Sequence, residues 1–441
     1  MPSRIALITP HDLEAPWKML AGTIGERRAG SSAEHRAAEY VLEEFRRNGA
    51  DQARLEAFEC TSRVEARAHL EVQLNGRWSK VPCEVLVNSP STQPPHRPVE
   101  RELAWLEMPE EAARLTPGSL RGKALLLFGP LATNTENHKA LVNSGAALVL
   151  WVDDRLPFEW TKSDALLPVW VRRHGALPTV AVAFRRAHDW RLKGVRKVRA
   201  CVETRHASAV SYNVVADVYG TQPELGVVAF GSHYDTQCGN VGADDNGSGT
   251  VSVLALAKTF ARAARKKPFA RTLRFISFGT EEQLSVGARA YALAHRHEMK
   301  RHALYINIDS ASSPLAHTQL LVAGSPQFER WSVEGLRRNG LAVRVSHEVT
   351  PFADHFPFNV FEVPSLWFYR TNCPGGRWQH HSVHDTLANV SPEALCRILN
   401  ATTPLAATAA DARKLPFTLG MRPSDRPLIR RFAKDLFDMK A

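Results

Sequence analysis

The chain has 441 residues, 44% of them apolar and 23% charged, with Gly and Pro at ordinary levels. That composition excludes a disordered or fibrous protein and leaves room for a large core in two domains. The net charge of +11 would suit acidic peptides or a nucleic-acid surface, but Lys and Arg are dispersed outside residues 262–267 and 426–434, so no coherent nucleic-acid groove is expected.

No stretch approaches the ~18 consecutive apolar residues of a membrane span, so no membrane partner is expected. The start, Ile5-Ala6-Leu7-Ile8 followed by His11, Asp12 and Glu14, lacks the apolar core of a secretory signal. A cytoplasmic protein is expected, or a secreted one whose N-terminus has been trimmed. The cysteines at 60, 83, 201, 238, 373 and 396 form no C-x-x-C pair, which argues against a thiolate zinc site. Free thiols are expected, with a Cys201–Cys238 pairing left open.

In chain order, residues 33–48 read as an amphipathic helix with Tyr40, Val41, Leu42 and Phe45 inward, Ser32 as N-cap and Gly49 as stop. Residues 53–59 and 66–74 read as strands. From 84 to 120 Pro and Ser accumulate, which predicts a boundary or a loop-rich second domain. Short buried strands follow at 123–128, 146–151 and 179–183, with a helix over 137–144. From Asn213 strand, loop and helix alternate: strands at 227–230, 273–278, 304–308 and 364–369, helices at 247–265, 284–297, 325–337 and 392–410. This alternation predicts an α/β fold, a mainly parallel mixed sheet with helices on both faces. The basic tail, 416–441, either docks or hangs free.

Ligands gather at the carboxyl ends of strands in such sheets. His233, Glu281, Glu282 and Asp309 each sit just past a strand-like run, so the fold would bring them to one edge. His233 and Asp235 form a His-x-Asp, in which a carboxylate can hold the ring nitrogen that is not bound to a metal. Asp244-Asp245-Asn246-Gly247-Ser248-Gly249 exceeds what a helix N-cap needs. The adjacent Glu281 and Glu282 are costly after a buried strand unless cations neutralise them. With His380-His381-Ser382-Val383-His384-Asp385, this is the ligand inventory of a two-metal hydrolase. No G-x-S-x-G elbow is present to support a serine hydrolase.

The order and wording of these segments resemble the M28 family of zinc peptidases, most closely over residues 213–410 and more loosely over 25–49. The specific stretches are 242–249, 278–283, Asp354-His355-Phe356-Pro357-Phe358 and Val363-Pro364-Ser365. The resemblance implies two Zn2+ per chain: His233 and Asp309 on one, Glu282 and His381 on the other, Asp245 bridging, and Glu281 as general base to the activated water. Asp235 and Asp385 would support the ligands. The family also implies a cis peptide at Asp245-Asn246.

Some positions depart from the family pattern. His381 lies in His380-His381 rather than after Tyr, which leaves His380 and His384 open as the last ligand. Ala353 replaces a Ser, and Ser310-Ala311-Ser312 replaces more apolar residues. Short motifs at 117–123, 137–139, 145–147 and 177–182 are similar to a protease-associated domain. The implied organisation is a catalytic domain of 1–60 and 205–415, a smaller β-rich inserted domain over 61–204 that caps the site, and the tail 416–441.

The implied activity is an aminopeptidase acting on peptides, with a homo-oligomer left open. Tyr369 and Arg370 are candidate substrate contacts; Arg370 as a carboxylate receptor would instead favour a carboxypeptidase or dipeptidase. A one-zinc glutaminyl cyclase and a non-enzymatic receptor of the same fold also remain open.

Overall fold

The computed structural model describes residues 5–131, 134–155, 157–373 and 376–440. Contacts divide the chain into two compact units. The larger comprises Met1–Cys60, Ala209–Gln379 and Val383–Ala441; the smaller comprises Thr61–Ser208 and His380–Ser382.

The sheet of the larger unit runs Arg344–Ser346, His317–Ala323, Ser365–Thr371, His302–Ile308, Val227–His233, Thr272–Phe278, then the 214–218 end of Lys197–Val218. The four strands from Ser365–Thr371 to Thr272–Phe278 are mutually parallel, and antiparallel neighbours flank them. This is the mainly parallel mixed sheet that the alternation predicts. Register brings the carboxyl ends together: Phe278 stands opposite His233, and Ile308 opposite Phe368.

Alternation along these strands builds a core on each face. Phe230 and Phe275 stack at 5.2 Å and meet Phe260 of the helix Gly249–Lys266. On the other face Tyr305 stacks on Phe358 at 3.9 Å, and Phe278 and Tyr291 pack beside it. Each fully buried Phe contributes roughly 1.5–3 kcal/mol relative to exposure. The helices on both faces are therefore required by apolar strands with no wet side.

The helix Ser32–Arg47 begins one residue earlier than the pattern predicts, because the Ser31 side chain accepts Glu34 N–H at 3.1 Å and serves as the cap. The N-terminal helices Pro10–Trp17 and Lys18–Ile24 lie outside the predicted elements, since Pro10 and Pro16 mask the period. The tail docks: in Arg426–Phe437 the apolar Ile429, Ala433, Leu436 and Phe437 are buried, Phe437 lies against Phe356 at 5.0 Å, and Arg426 pairs with Glu362 at 2.8 Å.

In the smaller unit, parallel strands Val99–Leu106, Ala124–Phe128, Leu148–Val152 and Thr179–Ala181 are covered by helices Thr135–Asn143, Pro168–His174 and Phe184–Leu192. Only the first of those helices overlaps a predicted one, and the loop-rich stretch contains the strand Val99–Leu106. The two strands expected at 53–59 and 66–74 are a single strand, Gln52–Leu74. Cys60, Cys83, Cys201 and Cys396 are free thiols, and no described helix is long and apolar enough to cross a membrane.

Candidate metal centre

His233 closes a strand whose buried residues leave the imidazole no access to solvent. Its Nδ1 lies 3.3 Å from the Asp235 carbonyl oxygen and 3.5 Å from Asp235 Oδ1. Around Nε2 stand Asp245 Oδ1 at 3.3 Å, Glu281 Oε2 at 3.7 Å and Asp309 Oδ2 at 3.8 Å, none of them in hydrogen-bond geometry. A buried ring nitrogen facing three carboxylates without a hydrogen bond is placed as a cation ligand would be.

The loop that enters the helix Gly249–Lys266 is anchored from several sides. Asp385 accepts Asp244 N–H at 2.6 Å and Asp245 N–H at 2.9 Å. Asp244 is tied down by Ser312, whose N–H and hydroxyl donate to Oδ1 at 2.9 and 2.6 Å. The polar residues after Asp309 are thus explained by the buried Asp244 they satisfy. Asn246, not either aspartate, caps the helix by accepting Gly249 N–H at 2.7 Å. The Asp245–Asn246 peptide is cis, as the family resemblance implies. From the first N-terminal helix, Trp17 Nε1 donates to Ala243 O at 2.7 Å and fixes the start of the loop.

Glu281 and Glu282 follow the strand Thr272–Phe278 in a loop where Thr280, Leu284 and Ser285 all have positive φ. Such backbone needs outside support. Asp235 supplies it, accepting Glu281 N–H at 2.9 Å and Glu282 N–H at 3.2 Å. The Ser285 hydroxyl donates to Glu281 Oε1 at 3.0 Å, leaving Oε2 toward His233. Glu282 Oε1 accepts Gln237 N–H at 3.0 Å. Asp309 ends its strand, and its Oδ1 accepts from Ser310 Oγ at 3.0 Å. One ligand atom each from His233, Asp245 and Asp309 all lie within 4.8 Å of one another.

Electrostatics favour a cation here. Burial, then repulsion from Asp354, Glu282 and Asp309, lifts the Glu281 pKa well above the carboxylate range, against the pull of His233. Burial and Asp245 do the same to Glu282. Burial disfavours charge on His233, but Glu281, Asp235, Asp245 and Asp309 outweigh it and raise its pKa well above the imidazole range. A divalent ion bound by neutral His and oxygen ligands would discharge the same cluster, and this donor set fits zinc.

The remaining residues singled out in the sequence divide. His381 belongs by its contacts to the smaller unit, where its carbonyl accepts Ser163 N–H at 2.8 Å and its ring stacks on His380 at 3.6 Å. Within the larger unit, His384 packs on Trp378 at 5.7 Å. Tyr369 stacks on Trp367 at 4.5 Å, next to Phe368, whose carbonyl accepts Asp309 N–H at 3.0 Å. Arg370, a candidate substrate contact in the sequence, is buried; its Nε donates to Ser313 O and its Nη1 to Thr318 Oγ1, both at 2.8 Å. A guanidinium committed in this way fastens the strand and gives no support to a substrate carboxylate.

Three residues beyond the predicted set matter. Asp354 is fully buried, with neither oxygen in a well-formed hydrogen bond, and burial raises its pKa well above the usual range. Its stretch stands out in the sequence only through the family resemblance, although a polar Asp-His between Phe352 and Phe356 is a signal. Arg27 is fully buried and donates to the carbonyls of Tyr234, Leu20, Gly25, Val241 and Gly242 at 2.6–3.1 Å. Burial lowers its pKa to about 10 against the pull of Asp385, Asp235, Glu282 and Asp245. Glu34 accepts from Gly30 N at 2.6 Å, Ser211 Oγ at 2.7 Å and Thr280 Oγ1 at 3.3 Å, linking helix Ser32–Arg47 to the Glu281 loop.

Residues 213–406 match the profile described as Peptidase family M28. Leupeptin-inactivating enzyme 1 of Streptomyces exfoliatus is 27% identical over 208 residues, 43% of this chain and 47% of its own length. Probable leucine aminopeptidase 2 of Aspergillus oryzae is 27% identical over 243 residues, 48% of this chain and 47% of its own. The chain thus spans about half the length of these curated relatives. Aminopeptidase YwaD of Bacillus subtilis is 22% identical over 91% of this chain and 85% of its own. Among solved structures, the zinc aminopeptidase BSAP of Bacillus subtilis superposes with a TM-score of 0.71 at 20% identity, covering 93% of this chain and 98% of that one. At this identity the likeness establishes the fold.

Proposed function

We propose, from the match of residues 213–406 to peptidase family M28, that the chain is a two-zinc exopeptidase that removes residues from the N-terminus of peptides. The observation that carries the proposal is the buried juxtaposition of His233 Nε2 with oxygens of Asp245 and Asp309, and Glu281 Oε2 beside them. We assign His233 and Asp309 to one zinc, Glu282 to the other, and Asp245 to both. The aminopeptidase names of the Aspergillus and Bacillus relatives support the direction of cleavage.

Zinc held by these residues would supply Lewis acidity toward the scissile carbonyl and would make water more acidic. Glu281 takes the proton of the attacking water and returns it to the departing amine. Oε1 is held by Ser285, so Oε2 is the oxygen that moves the proton. Asp235 keeps Glu281 and His233 in mutual register. Trp367 and Tyr369, half-buried beside Asp309, offer an apolar wall for a substrate side chain. Residues 61–208, whose motifs resemble a protease-associated domain, are assigned no chemistry.

The carboxypeptidase reading loses its proposed cation, since Arg370 is engaged elsewhere. A glutaminyl cyclase would use one zinc and would not hydrolyse. Elemental analysis of the zinc-loaded, dialysed protein tests the proposal. Two zincs per chain are expected; one or none contradicts it.

A further inference from the structure

Asp245 can share two cations only if each carboxylate oxygen faces one. Its two oxygens have different neighbours. Oδ1 lies 3.3 Å from His233 Nε2. Oδ2 accepts from Arg377 Nη2 at 3.4 Å. This is no surface pair: the side chains are 11% and 7% exposed. A guanidinium stays charged under all ordinary conditions, so Arg377 already places one positive charge on the oxygen that the second zinc requires.

The residues on either side of Arg377 are fastened to Asn372. Asn372 Oδ1 accepts Trp378 N–H at 3.0 Å, Asn372 Nδ2 donates to Gln379 Oε1 at 3.0 Å, and Asn372 N–H donates to Gly376 O at 3.0 Å. Backbone anchors on both sides of position 377 let the guanidinium swing about its side-chain torsions without unfolding the loop.

We propose that Arg377 is a built-in rival of the second divalent cation. It holds Asp245 Oδ2 when only the His233–Asp309 site is filled, and it must leave when the second ion binds. The first ion uses Oδ1, which faces His233, itself a ligand of that ion. Filling is therefore stepwise, and Arg377 sets the affinity of the second step by the fraction of time it releases Oδ2. The inference rests on the two-zinc reading above.

The test is a stepwise zinc titration of the full, chelator-stripped chain against a competing chromophoric chelator, in the wild type, Arg377→Gln and Arg377→Lys. Circular dichroism checks the fold of each. The wild type should bind its second zinc at least about tenfold more weakly than its first. Arg377→Gln should strengthen the second step by about tenfold or more and move the first by less than about threefold. Arg377→Lys keeps the charge but loses the planar fork, and should strengthen the second step by a smaller factor. If Arg377→Gln does not fold, Arg377→Lys alone carries the comparison. Two zincs bound with a second step that neither variant moves would overturn this inference and leave the two-zinc reading standing. Equal shifts in both steps would likewise overturn it. A single zinc in all three proteins would overturn both.

Discussion

Asp235 accepts the backbone N–H of Glu281 at 2.9 Å through the same oxygen that stands 3.5 Å from Nδ1 of His233. One carboxylate therefore sets both the proposed ligand imidazole and the proposed base. Its position depends on the parallel pairing that puts Phe278 opposite His233.

Replacing Asp235 should disturb both partners together. In Asp235→Asn one oxygen becomes an NH2 group, which cannot accept the N–H of Glu281 or Glu282. Zinc affinity or turnover should fall ~10–100-fold, the usual range when a ligand's supporting carboxylate is lost. Chelator competition and peptide turnover measured side by side check this; wild-type values in both would show that Asp235 is dispensable.

Glu281→Gln should keep the metal and lose the reaction. The amide retains the shape of the side chain but cannot take a proton from water, and removal of a general base costs ~10²–10⁴-fold. The comparison requires equal zinc content in both proteins. Near wild-type turnover in the fully loaded variant would refute the assignment.

Arg27 should matter for stability more than its distance from the chemistry suggests. Arg27→Met leaves five backbone carbonyls without their donor and removes the buried cation near Asp235 and Asp385. Loss of one partner from a buried charged network costs ~3–5 kcal/mol. Urea unfolding measures it. A change under about 1 kcal/mol would mean that the loop 234–242 holds itself.

Glu34 supplies a pH test. Burial, then the nearby Asp235, raises its pKa from the ordinary 4.5 to about 8. A raised folded-state pKa gives stability that is complete below the unfolded value and is lost as pH rises through the folded one. Wild-type stability should therefore decline between about pH 4.5 and pH 8 by an amount that Glu34→Gln, which has no proton to lose, does not share. Thermal unfolding of both proteins across that window, at matched zinc content, decides it. Parallel curves would show that Glu34 does not titrate there.

The strand-end residues of the candidate site were legible because they obey a local rule: an apolar run, then a polar residue at the edge of a parallel sheet. His233, Glu281 and Asp309 each carry that signature. The supports were not legible. Arg27 meets Tyr234 across 207 positions of sequence, and Trp17 meets Ala243 across 226, with no local pattern to announce either. Arg370 looked available because sequence shows its charge but not that its strand points it toward Ser313 and Thr318. Two helices of the smaller unit, Pro168–His174 and Phe184–Leu192, escaped because neither is long enough to establish a clear period.

The central claim is metal-dependent removal of N-terminal residues. The direct test incubates zinc-loaded protein with a short free-amine peptide and with its N-acetylated twin, with and without chelator, and separates the products by chromatography. The account predicts release of the first residue from the free-amine peptide alone, abolished by the chelator and restored by zinc. Equal hydrolysis of the acetylated twin, or hydrolysis that survives chelation and dialysis, would contradict it.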